Sequence, residues 1–221
     1  MERVFITGIG VLAGVGNGAE EFFDGCLNGP APIEAVPELW GSFHRGLSRS
    51  WTRLPDTGLD AIGLRKADHL LLAKPALMGI ACTHQALTNA GFSPNAPHGM
   101  PVPDFLSARF GVYIGTGLGA SQAPFDNYFA HALGPLRAQL ETLSSDPVEG
   151  TLPRRMLDQL QRHPRVNPMV ICQTMPNAIA ANIALRVGAQ GPCRTSAAAC
   201  ASGTVAIGEA YEAIHRGDLD A

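Results

Sequence analysis

The sequence is poor in charge, and the charges it has are nearly balanced. Aspartate, glutamate, lysine and arginine make up only 16% of the 221 residues, and the formal net charge at pH 7 is −3. Proteins that bind nucleic acid carry an excess of positive charge, so this balance argues against a nucleic-acid partner. With 46% hydrophobic residues, the composition is that of a globular protein that can bury a large core.

The sequence also lacks the features of a membrane or secreted protein. No positively charged leader precedes an apolar segment, so we expect no signal peptide. One uncharged run, 166–185, has the length of a membrane span, but it is interrupted by Pro168, Gln173, Pro176, Asn177 and Asn182. Because prolines and amides are unfavourable inside a bilayer, we expect no membrane span and a cytoplasmic protein.

Paired cysteines and histidines are missing as well. The five cysteines stand at positions 26, 82, 172, 193 and 200, are odd in number and form no CxxC pair. The seven histidines show no spacing that is typical of metal ligands. In a chain without a secretion signal, this pattern predicts free thiols rather than disulfides, and no metal site.

Short apolar runs that end in glycine alternate with helical patterns, which predicts an α/β fold with a largely parallel sheet. The predicted strands are Arg3–Thr7, Arg109–Ile114 and Cys193–Ala198. The predicted helices are Glu20–Leu27, 70–91, 176–188 and a final helix that ends at Arg216. Residues 121–163 are more polar and predict a helical excursion outside the core sheet.

Several residues predict how these helices begin, end and face the core. Pro75 either kinks the helix 70–91 or marks its true start, and Gly188 is a typical stop. The inward residues of the helix 176–188 are predicted to be Ile179, Ile183 and Val187. Spacing of i, i+3, i+4 and i+7 predicts that the final helix faces the core with Ile207, Ala210, Tyr211 and Ile214.

The first predicted strand leads into Gly8-x-Gly10-x-x-Ala13, which fits a dinucleotide-binding fingerprint. The supporting features are weak, because glycines interrupt the residues where a helix should begin. No acidic residue follows a second strand at the spacing of a ribose contact. Glycines that allow a tight turn against neighbouring elements are therefore the favoured interpretation, and a nucleotide-binding oxidoreductase is the lower-ranked alternative.

Cys200 stands in a run of small residues, TSAAACASGTVAIGEA (195–210), between a predicted strand and the final helix. Free N–H groups at a helix start stabilise negative charge on sulfur, and the thiolate is the reactive form. The same N–H groups can bind the oxyanion that forms when a thioester carbonyl is attacked. Gly203 and the alanines leave room for an acyl group. A small buried core cysteine is the alternative.

Three segments resemble the amino-terminal half of β-ketoacyl-[acyl-carrier-protein] synthases, of the thiolase-like superfamily. RVFITGIGVLAGVGNGAEEFFDGCLNG (3–29) and FGVYIGTGLGA (110–120) support the resemblance, and residues 175–218 carry it, with the sequence MPNAIAANIALRVGAQGPCRTSAAACASGTVAIGEAYEAIHRGD. The resemblance implies the layered α-β-α-β-α fold of that superfamily, with this chain as its first half. Residue 198 is alanine where family members often have threonine, which alters packing beside Cys200.

The resemblance also implies an activity. Cys200 matches the nucleophile that accepts an acyl chain from the phosphopantetheine of acyl carrier protein, before decarboxylative condensation with a malonyl unit in fatty acid or polyketide biosynthesis. Its backbone N–H would be an oxyanion donor, and no separate cofactor is implied. Leu118 matches a position that borders the acyl pocket, and we expect Gly117 and Gly203 to line it. The strand Cys193–Ala198 matches the one that pairs across a two-fold dimer axis.

The histidines that drive condensation belong to the second half of the family fold, as do a lysine and a phenylalanine loop. None of the histidines in this chain lies in a matching motif; His131 and His163 fall in the excursion, and His215 ends the last helix. We therefore expect residues 1–221 to be a domain truncated before the carboxyl-terminal half, or one that a second polypeptide completes. A non-catalytic ketosynthase partner or a truncated relic is the alternative function.

Overall fold

The computed structural model describes residues 2–36, 49–54, 68, 71–92, 102–143 and 167–221. Its helices are α1 (Ala19–Asn28), α2 (Lys74–Asn89), α3 (Asp104–Ser107), α4 (Gln122–Leu143), α5 (Val170–Thr174), α6 (Ala178–Val187) and α7 (Ser202–His215). Its strands are β1 (Leu12–Ala13), β2 (Gly16–Asn17), β3 (Glu34–Ala35), β4 (Ser50–Trp51), β5 (Val112–Gly115) and β6 (Cys193–Ser196). A 3-10 turn, Ala199–Ala201, joins β6 to α7.

A parallel pair of strands, β5 and β6, organises the described chain. Val112 pairs with Cys193 and Gly115 with Ser196, while β1–β2 and β3–β4 are short antiparallel pairs. Parallel strands need a crossover between them, and α4, α5 and α6 lie in that connection. The predicted α/β fold is confirmed, whereas only this one of the three strand pairs in the described residues is parallel, so the largely parallel sheet is not seen there. The carboxyl ends of β5 and β6 meet at one edge of the sheet.

The apolar core lies between α2, α6 and β5. Ile179, Ile183 and Val187 are all buried, as the sequence predicts, and they belong to one cluster with Leu77 and Val112. A Cβ added to Gly79 of α2 would lie 3.1 Å from Ile183 Cδ1, so the two helices pack closely here.

Local helix signals agree with the structure. Pro75 lies in the first turn of α2 and marks its start rather than a kink. Gly188 ends α6 with a φ of 78°, in the left-handed region that favours glycine. Helix α1 extends the predicted Glu20–Leu27 by one residue at each end. The excursion 121–163 is helical over α4, and residues 144–163 lie outside the described residues.

The strand predicted at Arg3–Thr7 is wrong. This segment has no partner strand within the described ranges, and Phe5 and Ile6 are exposed. Immediately after it the chain runs along α2, where side-chain amides bind its backbone. The Ile9 N–H donates to Asn89 Oδ1 at 3.1 Å, and the Val11 N–H donates to Gln85 Oε1 at 2.9 Å.

The glycines of the first turn are required by this close approach. A Cβ on Gly8 would lie 2.0 Å from the carbonyl oxygen of Ala86, and one on Gly10 would lie 1.9 Å from that of Cys82. The β1–β2 hairpin follows, and α1 begins only at Ala19. A dinucleotide fingerprint requires a helix directly after its glycines, and a hairpin stands there instead. The glycines therefore allow a tight turn against a neighbouring helix, as the favoured interpretation has it.

The predicted inward face of α7 is also wrong. Ile207 is 70% exposed and Tyr211 is 45% exposed, whereas Ser202, Ala206 and Ala213 are buried. Helix α7 packs on β5 and β6, and these small residues are the ones it buries. Hydrophobicity favours the bulky face, but a close approach to the sheet requires the face with the smallest side chains.

The segment after α7 lies beside the residues that lead into β5. The Gly111 N–H donates to Ala221 O at 2.8 Å, and the Asp220 N–H donates to Arg109 O at 3.0 Å. Arg109 Nη2 lies 2.9 Å from Asp220 Oδ1, and its hydrogen bond lowers the pKa of the Asp220 carboxyl below the ordinary value of 3.8. This contribution to stability is present above pH 3.8 and is lost as the pH falls through the lowered pKa.

The core packing gives a paired prediction for two isoleucines. Ile183→Ala removes a side chain that is 3% exposed, and we expect it to lower the free energy of unfolding by about 3 kcal/mol. Ile207→Ala, at a position that is 70% exposed, should change it by less than about 0.5 kcal/mol. Denaturant unfolding of both variants measures the difference. An equal decrease in the free energy of unfolding would contradict the assignment of Ile183 as buried and Ile207 as exposed.

Candidate active site

Cys200 lies where the chain leaves the sheet and enters α7. Strand β6 ends at Ser196, two residues earlier than the predicted end at Ala198. Ala198 has φ −131° and ψ 42°, outside the strand region, and its N–H donates to the Ser202 hydroxyl instead of a neighbouring strand. Cys200 therefore stands in the 3-10 turn immediately before α7, and its residue is exposed.

The bend before Cys200 contains a strained residue. Ala199 has a φ of 48°, and it is the one non-glycine residue with a positive φ in the described part of the chain. The left-handed conformation costs an L-residue on the order of 1 kcal/mol. Such strain persists only where surrounding contacts hold it, and Ala199 O accepts hydrogen bonds from the hydroxyl and the backbone N–H of Ser202, the first residue of α7.

The end of β5 touches the beginning of α7 directly. A Cβ added to Gly115 would lie 2.3 Å from the Ser202 carbonyl carbon and oxygen and 2.5 Å from Gly203 N. The turn that follows is joined to the same helix, because the Ser202 hydroxyl lies 3.3 Å from Thr116 O. The first residue of α7, two positions after Cys200, therefore packs directly against the end of β5.

The residues expected to line an acyl pocket are each open on the surface. Leu118, in the turn after β5, is 77% exposed. A Cβ on Gly117 or on Gly203 would meet no atom within 4 Å. Gly117 and Leu118 follow Thr116, whose carbonyl oxygen lies 3.3 Å from the hydroxyl of Ser202, the residue before Gly203. Their role in binding an acyl chain stays a prediction.

The other cysteines differ from Cys200 in place and environment. Burial raises the pKa of the Cys82 thiol above its usual value of 9.0, and partial burial does the same for Cys193. Cys26 lies in α1 and Cys172 in α5, and both are exposed. Of the five cysteines, only Cys200 stands in the turn between β6 and α7.

Histidines near the start of α7 would be candidate bases, but His215 is far from it. Fifteen positions separate it from Cys200, about 20 Å along a helix. The ring of His215 stacks on Tyr211 at 5.4 Å, and its Nδ1 lies 2.8 Å from Glu2 O. His131 lies in α4, and His163 lies outside the described residues.

The described ranges show neither a metal-binding cluster nor a membrane-spanning helix. They contain no group of three or more His, Cys, Asp or Glu side chains that could hold a metal ion. None of the helices in these ranges is both long and apolar enough to cross a membrane.

Sequence reasoning missed Ser202 and the contact at Gly115. Ser202 is the buried polar residue closest in sequence to Cys200, and it is 3% exposed. Its position two residues after the cysteine gives no sign that its hydroxyl bonds the bend. The paired glycine turns are visible in the sequence, but which glycine touches a helix depends on how the strands pair.

The whole chain matches a known domain model. Residues 1–221 match the family described as "Beta-ketoacyl synthase, N-terminal domain". The chain is 26% identical over 223 residues to "3-oxoacyl-[acyl-carrier-protein] synthase 2" of Staphylococcus aureus, with 100% of this chain and 44% of that protein covered. It is 25% identical to "Actinorhodin polyketide putative beta-ketoacyl synthase 1" of Streptomyces coelicolor, with 99% and 40% covered. The chain thus spans less than half the length of these relatives.

Solved structures share the fold. A β-ketoacyl synthase from Burkholderia phymatum superposes with a TM-score of 0.66 at 24% identity, covering 99% of this chain and 45% of that one. The ishigamide ketosynthase/chain length factor gives a TM-score of 0.64 at 18% identity, covering 97% and 44%. These likenesses confirm the predicted thiolase-like α/β fold.

The contact between β5 and α7 gives a paired glycine prediction. Gly115→Ala forces a methyl group into the backbone of Ser202, and we expect it to lower the free energy of unfolding by about 2 kcal/mol or more. Gly203→Ala adds a methyl in open space near the start of α7, so it should be neutral or stabilising by up to about 1 kcal/mol. Thermal or denaturant unfolding tests the pair. A Gly115→Ala variant with an unchanged free energy of unfolding would show that β5 and α7 do not touch at this position.

Proposed function

The chain belongs to the β-ketoacyl synthase family, as its N-terminal domain, and on this premise we propose that Cys200 is the acyl-accepting nucleophile of a β-ketoacyl-[acyl-carrier-protein] synthase. The observation that carries the proposal is the placement of an exposed thiol in the turn between a parallel strand and a 14-residue helix. Such a junction gives the sulfur access to substrate and places Cys200 immediately before the amino-terminal end of a helix, where the first N–H groups have no acceptor four residues earlier in the helix.

The first half-reaction uses this chain's own groups. The Cys200 thiolate attacks the carbonyl carbon of an acyl thioester on the phosphopantetheine of an acyl carrier protein. The Cys200 N–H would donate to the oxyanion of the tetrahedral intermediate. The intermediate collapses with loss of the pantetheine thiolate, which takes up a proton in place of the one that the Cys200 thiol gave up before the attack. The acyl group remains on Cys200 as a new thioester. No separate cofactor takes part.

The second half-reaction forms a carbon–carbon bond. Decarboxylation of a malonyl thioester releases CO2 and yields an enolate whose carbon attacks the acyl carbonyl. The bond between that carbonyl carbon and the Cys200 sulfur then breaks, and the Cys200 thiolate takes up a proton. The family resemblance assigns the histidines for this step to a second half, and this chain spans 44% of the Staphylococcus aureus relative. Loading of Cys200 is therefore the step that residues of this chain perform, and condensation is proposed for the synthase that includes the remaining length.

Exposed apolar surfaces support such a larger assembly. Phe5 and Ile6 are 73% and 84% exposed, and Ile207 and Tyr211 of α7 are also exposed. Large exposed apolar patches mark surfaces that contact other protein. We propose that they pack against the part of the synthase that this chain does not span, supplied by the same polypeptide or by a second one.

Strand β6 is the proposed pairing edge of a homodimer or of a ketosynthase with a related partner. Within the described residues its side opposite β5 has no neighbouring strand, and Cys193 and Arg194 are exposed. One solved relative is itself described as a ketosynthase/chain length factor. A non-catalytic partner role for this chain is the second candidate. The presence of an exposed Cys200 at the junction favours the catalytic one.

Acyl loading of the protein tests the proposal. Incubation with an acyl carrier protein that bears a short acyl thioester should raise the intact mass by one acyl group, and Cys200→Ser should abolish the increase. Cys193→Ser removes another exposed cysteine, seven residues away, and should retain it. Peptide mass spectrometry locates the adduct. An adduct elsewhere, or none on a folded protein, would contradict the assignment of Cys200.

A further inference from the structure

The hydroxyl of Ser202 is the polar group that joins the parts of the bend around Cys200. Ser202 is the first residue of α7 and is 3% exposed. Its Oγ lies 2.8 Å from Ala198 N, 2.7 Å from Ala199 O and 3.3 Å from Thr116 O. One side chain therefore reaches the residues before the cysteine and the turn after β5.

The hydrogen atoms can be assigned from the chemistry of these partners. The hydroxyl accepts the Ala198 N–H, because an amide nitrogen only donates. Its single hydrogen is then donated to Ala199 O, the shorter of the two contacts with a carbonyl oxygen. Thr116 O lies at the limit of hydrogen-bond distance and is the secondary acceptor.

These bonds fall on the two residues with irregular backbone. Ala198 lies outside the strand region, and Ala199 has the left-handed φ of 48°. The backbone N–H of Ser202 also donates to Ala199 O, and the Ala201 N–H donates to Ala198 O at 3.0 Å. Hydrogen bonds therefore link the two residues before Cys200 to the two residues after it. The Ser202 side chain makes two of these bonds.

We propose that Ser202 is a positioning residue, which fixes the bend 198–201 so that the sulfur and the backbone N–H of Cys200 face the same acyl carbonyl. It deepens the proposed function and rests on it, since positioning matters only if Cys200 accepts an acyl group. Ser202 does not touch the substrate. It acts through the backbone of Ala198 and Ala199.

Two reactions of Cys200 separate positioning from general loss of structure. Thioester acylation needs the sulfur and the oxyanion donor aligned together, so Ser202→Ala should slow it about tenfold. Alkylation by iodoacetamide needs an exposed thiolate but forms no oxyanion, so its rate at Cys200 should change less than about twofold. Ser202→Thr keeps a hydroxyl at the same position and should restore acylation.

Ser107 offers a matched control. It is 5% exposed, and its hydroxyl donates to the carbonyl of the residue three positions earlier, Asp104, at 2.8 Å. Ser202 makes the same kind of bond to Ala199. Because the Ser202 hydroxyl also accepts the Ala198 N–H, Ser107→Ala should lower thermal stability by no more than Ser202→Ala does, while leaving acylation and alkylation of Cys200 unchanged.

Amide hydrogen exchange tests the bend without any substrate. In Ser202→Ala, exchange of the Ala198 amide should rise about tenfold, the order expected for a lost hydrogen bond. Exchange in α6 should stay the same. Unchanged exchange of the bend, or acylation and alkylation that fall together, would overturn the positioning role.

The outcomes also separate this proposal from the proposed function. If the unmodified protein is not acylated at Cys200, the proposed function fails whatever the variants do. Faster exchange confined to 198–201 in Ser202→Ala would then still support Ser202 as the group that holds the bend. If the unmodified protein is acylated and Ser202→Ala is acylated at the same rate, only the positioning role fails.

Discussion

The close contact between Gly115 and the first residues of α7 is the constraint on which the candidate site depends. Parallel pairing places the ends of β5 and β6 at one edge, and glycine at the end of β5 lets the helix approach within backbone contact. Because α7 lies so near the sheet, the chain between β6 and α7 must turn within five residues. The irregular backbone at Ala198 and Ala199 follows from that short connection.

The same constraint explains which face of α7 is buried. A helix that nearly touches a glycine can present only small side chains to the sheet, and Ser202, Ala206 and Ala213 fill that role. The bulky residues Ile207 and Tyr211 are left on the opposite side. The site therefore combines a tightly packed inner surface, which fixes Cys200, with an apolar outer surface that the proposed larger synthase would cover.

Features that depend on local chemistry could be predicted from the sequence. Pro75 and Gly188 mark helix ends because their backbone preferences act within one turn, and Cys200 stands out by the small residues around it. Features that depend on distant partners could not. The strand at Arg3–Thr7 was wrong because no neighbouring strand meets it in the described chain, and Ser202 was missed because its partners appear only once the bend forms.

The most direct test of the central claim is the relative rate at which a short acyl-pantetheine thioester acylates each of the five cysteines. Cys26, Cys172 and Cys200 are all exposed, so exposure alone predicts similar rates for these three. If the junction of β6 and α7 makes Cys200 the acyl acceptor, it should be acylated at least tenfold faster than the other two. Equal rates, or a faster reaction at another cysteine, would contradict the account.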